Sequence, residues 1–176
     1  MQLINTKLKG VKLLKPVIHR DQRGYLKESF SLQRYQQLLA ITEDFVQDNI
    51  SESKQGVLRG LHFQKNNPQG KLVMAIHGVI FDVVADINPE SPTYGEHIAV
   101  ELSAENHLQL WVPPGYAHGF CVLSETAQVL YKCTDYYQAD DQGGVLWNCP
   151  KLAIKWPINA PILSAKDRDL PSLLEL

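Results

Sequence analysis

The sequence is poor in most of what would mark a membrane, nucleic-acid or disulfide-stapled protein. No apolar stretch is long enough to span a bilayer. Met1-Gln-Leu-Ile-Asn-Thr-Lys7 lacks the apolar run that follows the charges of a signal peptide. There are only three cysteines, Cys121, Cys133 and Cys149. An odd number in apolar or mixed surroundings points to reduced thiols in a cytoplasmic protein rather than a disulfide framework. Neither sign of charge dominates, with a formal net charge of −2. That excludes the strong basic field expected of a nucleic-acid or anionic-membrane binder, so neither partner is expected. An anionic ligand would have to be held by local arginines and lysines. Helical periodicity is scarce too. Leu32, Tyr35, Leu38 and Leu39 are the one convincing set, predicting a short surface helix over 32–40. No internal repeat or low-complexity tract is present.

What the sequence does have is a series of short apolar runs punctuated by Gly, Pro, Asn and Asp. With 176 residues and 44% hydrophobic content, it can bury one good core, so 1–176 is read as a single domain. The runs predict an all-β sandwich or barrel with one or a few short peripheral helices. Two extended segments lie within 2–18, broken at Gly10. Asp21-Gln-Arg-Gly24 is a turn, followed by strands over 25–30 and 45–50. The runs 72–76 and 79–85, hinged on Gly78, read as a hairpin, and 120–123 with 127–134 as a strand pair. Ile98, Val100 and Leu102 alternate as on a half-buried strand. Segments 145–147 and 152–156 supply the last strands. By composition alone, the charged cluster Lys166-Asp-Arg-Asp169 is a solvated terminus.

The chemistry concentrates in residues 56–82. Arg59 and His62 interrupt the apolar run Val57, Leu58, Leu61, Phe63, and Lys71 begins the next run. Each is costly to bury without a partner. One alone would be read as a strand end touching water, but three together on strong strand signals predict a lined pocket. Gln47 and Asn49 alternate with Val46 and Asp48, so one polar set can face a ligand. His19, His77 and His107 are read as turn or surface histidines.

Spacing adds a resemblance. Gly56, five residues, His62, a polar interval and then Lys71 resemble the first cupin motif, and Pro113-Pro-Gly-Tyr-Ala-His118 resembles the second. Metal-binding cupins use two histidines and a glutamate from the first motif and a histidine from the second. Here Gln64 and Lys71 stand in two of those places, and an ammonium repels a cation rather than ligating it. No metal is expected. Over nearly its whole length the chain also resembles the dTDP-4-dehydrorhamnose 3,5-epimerase family. The strings that carry this include Asp21–Gly24, Phe45-Val-Gln-Asp-Asn49, Gly56–His62, Ser91-Pro-Thr-Tyr-Gly95, Pro113–Phe120, Tyr131–Tyr137 and Leu163-Ser-Ala-Lys-Asp167.

The resemblance implies a cupin-type jelly roll, working as a homodimer without cofactor on a dTDP-4-keto-6-deoxyhexose. C3 and C5 of that sugar both flank the C4 ketone, so inversion needs a base on one side and an acid on the other. The family pattern places His62 as the base and Asp167 as its partner, against the reading of the tail by composition. Imidazole suits the task, with an unperturbed pKa of about 6.5. Tyr131 takes the place of the proton donor. Lys71 takes that of the ammonium facing the growing enolate, a kind of stabilisation worth about 3–4 kcal/mol. Substrate contacts carry over to Arg23, Glu28, Gln47, Asp48, Asn49, Arg59, His118, Gln142 and Lys166, and Tyr137 matches the residue that stacks on thymine. Met74, Gln142 and Ile18 depart from the arginine, glutamate and phenylalanine that many members carry, and are expected to bear on nucleotide grip. Three readings compete with the double epimerase: an epimerase acting at C3 or C5 alone, a non-catalytic sugar-binding cupin, and a metal-dependent cupin oxygenase. Gln64 and Lys71 speak against the oxygenase.

Overall fold

The computed structural model describes all 176 residues. The chain begins with β1 (Gln2–Asn5) and β2 (Lys12–Lys15), an antiparallel pair, followed by the separate hairpin β3 (Ile18–Asp21) and β4 (Gly24–Lys27). Helix α1 (Leu32–Leu39) leads to β5 (Gln47–Lys54), β6 (Leu58–Gln64), β7 (Lys71–His77) and β8 (Val79–Asp86). Then come β9 (His97–Ser103), β10 (Gln109–Val112), β11 (Tyr116–Val122), β12 (Thr126–Cys133), β13 (Gln142–Gly144) and the single-turn α2 (Ala165–Arg168). They form a six-stranded sheet, β1-β2-β10-β7-β12-β5, and a five-stranded sheet, β13-β6-β11-β8-β9. The two pack as an all-β jelly roll.

Between the sheets lies one core. Val73, Ala75, Leu110 and Val129 from the first meet Ile80, Val84, Leu102 and Phe120 from the second. Strand alternation sends Leu72 and Met74 to the other face of β7, where Tyr35 and Leu39 of α1 cover them with Trp111. Val83 and Ala85 of β8 likewise reach the outer face of their sheet, and Val145, Cys149 and Leu152 cover them. β7 and β8 are therefore buried on both faces, which is why they read as continuous apolar runs rather than alternating ones.

That same burial corrects the hairpin expected over 72–85. β7 bonds to β10 and β12, whereas β8 bonds to β9 and β11, so the chain crosses between sheets at Gly78. Gly78 has φ +71, and a Cβ there would lie 2.1 Å from the Thr126 carbonyl oxygen. The pair expected around Ser124 is corrected in the same way: β11 and β12 lie in different sheets. Segments 145–147 and 152–156 are not strands. Ala153 adopts φ 49 after a turn at Cys149, which breaks the extended run while leaving Leu152 in the core. The strand expected over 25–30 ends at Lys27, leaving Glu28 outside it. His107 is buried beneath the β3–β4 hairpin, its ring 4.7 Å from that of Tyr25, and is not a surface histidine. All three cysteines are free and buried.

Candidate active site

Register brings the polar side chains together. On the five-stranded sheet His62 of β6 and His118 of β11 are direct cross-strand partners. On the six-stranded sheet Cys133 of β12 faces Lys71 on one side and Gln47 on the other, and Tyr131 faces Asn49. The two polar sets line one cavity of about 380 Å³, with Arg59, Tyr137 and Gln142 at its wall. A neighbouring groove shares Arg59, His62, Tyr137 and Gln142 with the cavity and runs on to Ser164, Lys166 and Asp167. The volume is in the range of small-molecule sites.

His62 is held by the chain's far end. Its Nε2 lies 2.5 Å from Asp167 Oδ1, across 105 residues of sequence. Asp167 sits in α2, where the Ser164 hydroxyl accepts from its backbone amide and caps the turn. Burial pushes the Asp167 carboxyl up. Hydrogen bonds from His62, Ser164 and the Gly60 amide outweigh that and hold it below the usual carboxylate range. His62 Nδ1 makes no hydrogen bond within the chain.

A second histidine–aspartate pair lies deeper. His118 Nε2 sits 2.9 and 3.0 Å from the two oxygens of Asp82, whose side chain is 0% exposed. Burial raises the Asp82 carboxyl against the opposing charges of His118 and Lys71. Lys71 lies deep among protein atoms while still reaching the cavity. Burial lowers its ammonium pKa, and the Cys133 sulfur and Asp82 carboxylate pull the other way. Burial also raises the Tyr131 phenol, which strengthens its hold on its proton at neutral pH.

Three residues carried over from the resemblance stand away from the cavity. Asp48 follows the strand period outward with Ile50 and Glu52, and takes Lys132 at 2.6 Å. Arg23 sits at the hairpin tip and pairs with Asp21, and Glu28 binds Arg34 at 2.9 Å. Met74 is buried in the cluster beneath α1 and Ile18 lies on β3, so neither departure touches the cavity, whereas Gln142 does. Reading the sequence missed Asp82, Ser51, Gln69 and Cys133. Asp82 did leave a signal: a single acid inside the apolar run 79–85. No three His, Cys, Asp or Glu side chains converge on a point that could hold a metal ion.

A jelly roll with its polar cavity between two sheets, entered beside the first-motif histidine, belongs to the cupin class. Comparison narrows this. The sequence profile for dTDP-4-dehydrorhamnose 3,5-epimerase matches residues 5–175. The Salmonella typhimurium enzyme of that name is 49% identical over 98% of this chain and 96% of its own. A Legionella pneumophila 3,5-epimerase, solved with dTDP-4-keto-L-rhamnose, superposes with a TM-score of 0.96 at 48% identity, covering 98% of this chain and 93% of that one. A Streptomyces niveus dTDP-4-dehydrorhamnose 3-epimerase is more distant, 34% identical over 99% of this chain and 85% of its own. The chain belongs to the dTDP-4-dehydrorhamnose 3,5-epimerase family.

Proposed function

We propose that this protein inverts C3 and C5 of dTDP-4-dehydro-6-deoxy-D-glucose, giving dTDP-4-dehydro-L-rhamnose, by proton transfer without metal or coenzyme. One observation carries the reading: His62 of one sheet, backed by Asp167 of α2, lines the same cavity as Tyr131 of the other sheet. His62 Nδ1 takes the proton next to the ketone, and Asp167 supports the imidazolium that forms. The electron pair left on carbon is delocalised onto the C4 oxygen, where the Lys71 ammonium meets the growing charge. Tyr131 returns a proton from the opposite wall, and the ketone re-forms. Arg59, His118 and Lys166 hold the diphosphate end, where arginine forks suit phosphate oxygens. Tyr137 stacks on the base, with Gln47, Asn49 and Gln142 around it. The greater likeness to the double epimerases than to the 3-epimerase favours inversion at both carbons.

The working unit is a homodimer in the cytoplasm. β5 is an edge strand with Ile50 63% exposed, and the isolated β3–β4 hairpin exposes Leu26 at 73%. Such unpaired edges and apolar side chains suit a second copy. Arg23 and Glu28 serve the partner's cavity, since they stand away from their own. Mixing Arg23→Ala and His62→Ala copies should then restore activity, because one mixed site regains both groups. The reaction itself is tested in heavy water: deuterium should enter the sugar at both C3 and C5. Label at one carbon would reduce the enzyme to a single epimerase, and no label would leave only a binding protein.

A further inference from the structure

Gln64 occupies the place at which a metal cupin would carry a ligand and lines the cavity, yet its amide atoms are committed to backbone groups of the surrounding loops. It is 5% exposed. Its Nε2 donates to the Asn67 carbonyl at 2.7 Å and to the Tyr136 carbonyl at 3.4 Å, and its Oε1 accepts from the Gln138 amide at 2.7 Å. The amide group therefore bridges two loops, 65–70 and 134–138, and brackets Tyr137 on both sides along the chain. Two other glutamines complete the frame. Gln47 Oε1 accepts from the Tyr137 backbone amide at 2.8 Å, and Gln142 Oε1 accepts from the Tyr137 hydroxyl at 2.6 Å. Tyr137 itself is 49% exposed and makes no entry in the hydrophobic core, so these polar contacts are what fix it at the junction of cavity and groove.

We propose that Gln64 is a positioning residue that sets the Tyr137 ring in advance for an aromatic base, so that a nucleoside diphosphate binds a formed wall rather than ordering a loop. The inference rests on the proposed function in taking the ligand to be a nucleotide sugar whose base stacks on Tyr137. A neutral amide fits the task better than histidine or glutamate. It donates to carbonyls and accepts from an amide at once, and it does not titrate. Ordering an exposed loop on binding would cost affinity, and a side chain that orders it beforehand removes that cost.

The test is a double-mutant cycle read by calorimetry with dTDP, which binds but cannot react. Gln64→Met keeps the volume and removes all three hydrogen bonds. It should weaken dTDP about tenfold or more, raise KM by a similar factor and lower kcat by less. Placed on a Tyr137→Ala background, the same change should have almost no further effect on dTDP affinity, because its target is gone. Gln64→Glu sets a carboxylate against two carbonyl oxygens and should weaken dTDP at least as much. Full additivity of the two substitutions would overturn the proposal by showing that Gln64 acts independently of Tyr137. So would a loss confined to kcat with dTDP affinity intact. A wild-type protein that does not bind dTDP would instead overturn the reading of the substrate. Should Gln64→Met not fold, Gln64→Glu carried through the same cycle on the Tyr137→Ala background should weaken dTDP alone and add almost nothing once Tyr137 is gone, and full additivity there would overturn the proposal.

Discussion

Two histidines on neighbouring strands of one sheet each pair with an aspartate, and the two pairs are built in opposite ways. His62 is 28% exposed and takes its acid from a helix 105 residues away, at 2.5 Å. His118 is 9% exposed and takes its acid from the adjacent strand of its own sheet, 36 residues away. Hydrogen bonds from an imidazole, a serine and a backbone amide hold the Asp167 carboxyl low. Asp82 has only His118 and, at longer range, Lys71 to offset complete burial, and its carboxyl is raised. The same two residue types therefore make a ready anion at the mouth and a reluctant one in the core. A carboxylate fixed at one imidazole nitrogen leaves the other nitrogen facing the cavity, which is what a base needs. An imidazole next to a buried, costly carboxylate is suited to staying in one place.

The sharpest break of the comparison removes one member of the outer pair. His62→Ala should cut deuterium exchange at both carbons by about a thousandfold or more. Asp167→Asn leaves a hydrogen-bonding group but not the charge, and should cost about a hundredfold or more, mostly in kcat. Both variants should still bind dTDP, measured by calorimetry. Near-normal exchange in His62→Ala would transfer the role of base to another group.

If the outer pair is the base, a separate acid must stand on the facing sheet. Tyr131→Phe removes only the hydroxyl, and inverted product should fall by a factor of about a hundred or more. Exchange on the His62 side should persist, because proton removal does not need the phenol. Full double inversion by this variant, followed by NMR of the sugar, would replace Tyr131 with ordered water.

Much of this was legible in the residues, and the limits have physical causes. Alternation at Ile98, Val100 and Leu102 marks β9, and helical spacing marks α1 to within a residue. Strand partners were not legible at Gly78 or Ser124, because periodicity reports which faces are buried but not which strand lies alongside. Arg59, His62 and Lys71 announced a pocket because charge is expensive in a strand. Asp167 could not be found in that way. Its neighbours are solvated, and only the capped turn of α2 carries it inward, so the family resemblance had to supply it. Asp48 shows the reverse: the motif around it carries it into the expected site, while the strand period turns it outward from this chain's cavity.

The inner pair should matter less to the rate and more to its pH dependence. Asp82 is one of the two groups that keep Lys71 charged against its burial, and the Lys71 ammonium pKa is already lowered. The Tyr131 phenol moves the other way, so the alkaline limb of kcat belongs to Lys71 and should begin below the ordinary lysine value. Asp82→Asn keeps an acceptor for His118 and removes the charge. At pH 7 it should cost about tenfold in kcat, and the alkaline limb should move to lower pH. A limb that stays in place would separate Asp82 from Lys71. Stability gives an independent reading, because the two aspartates have opposite signs. A raised carboxyl supports the fold below its ordinary value, and that support is lost as pH rises through its folded value. A lowered one supports the fold above its ordinary value, and that support is lost as pH falls through its folded value. The Tm of Asp82→Asn relative to the parent should therefore climb between pH 4 and pH 8, while that of Asp167→Asn should drop as pH rises from about 2 to about 5 and stay level above it. At this chain length about 1 kcal/mol moves Tm by about 2–4 °C, so scanning calorimetry can resolve slopes of opposite sign. Parallel slopes would mean that the two pairs are electrostatically alike, and the division between a base at the mouth and an anchor in the core would fall.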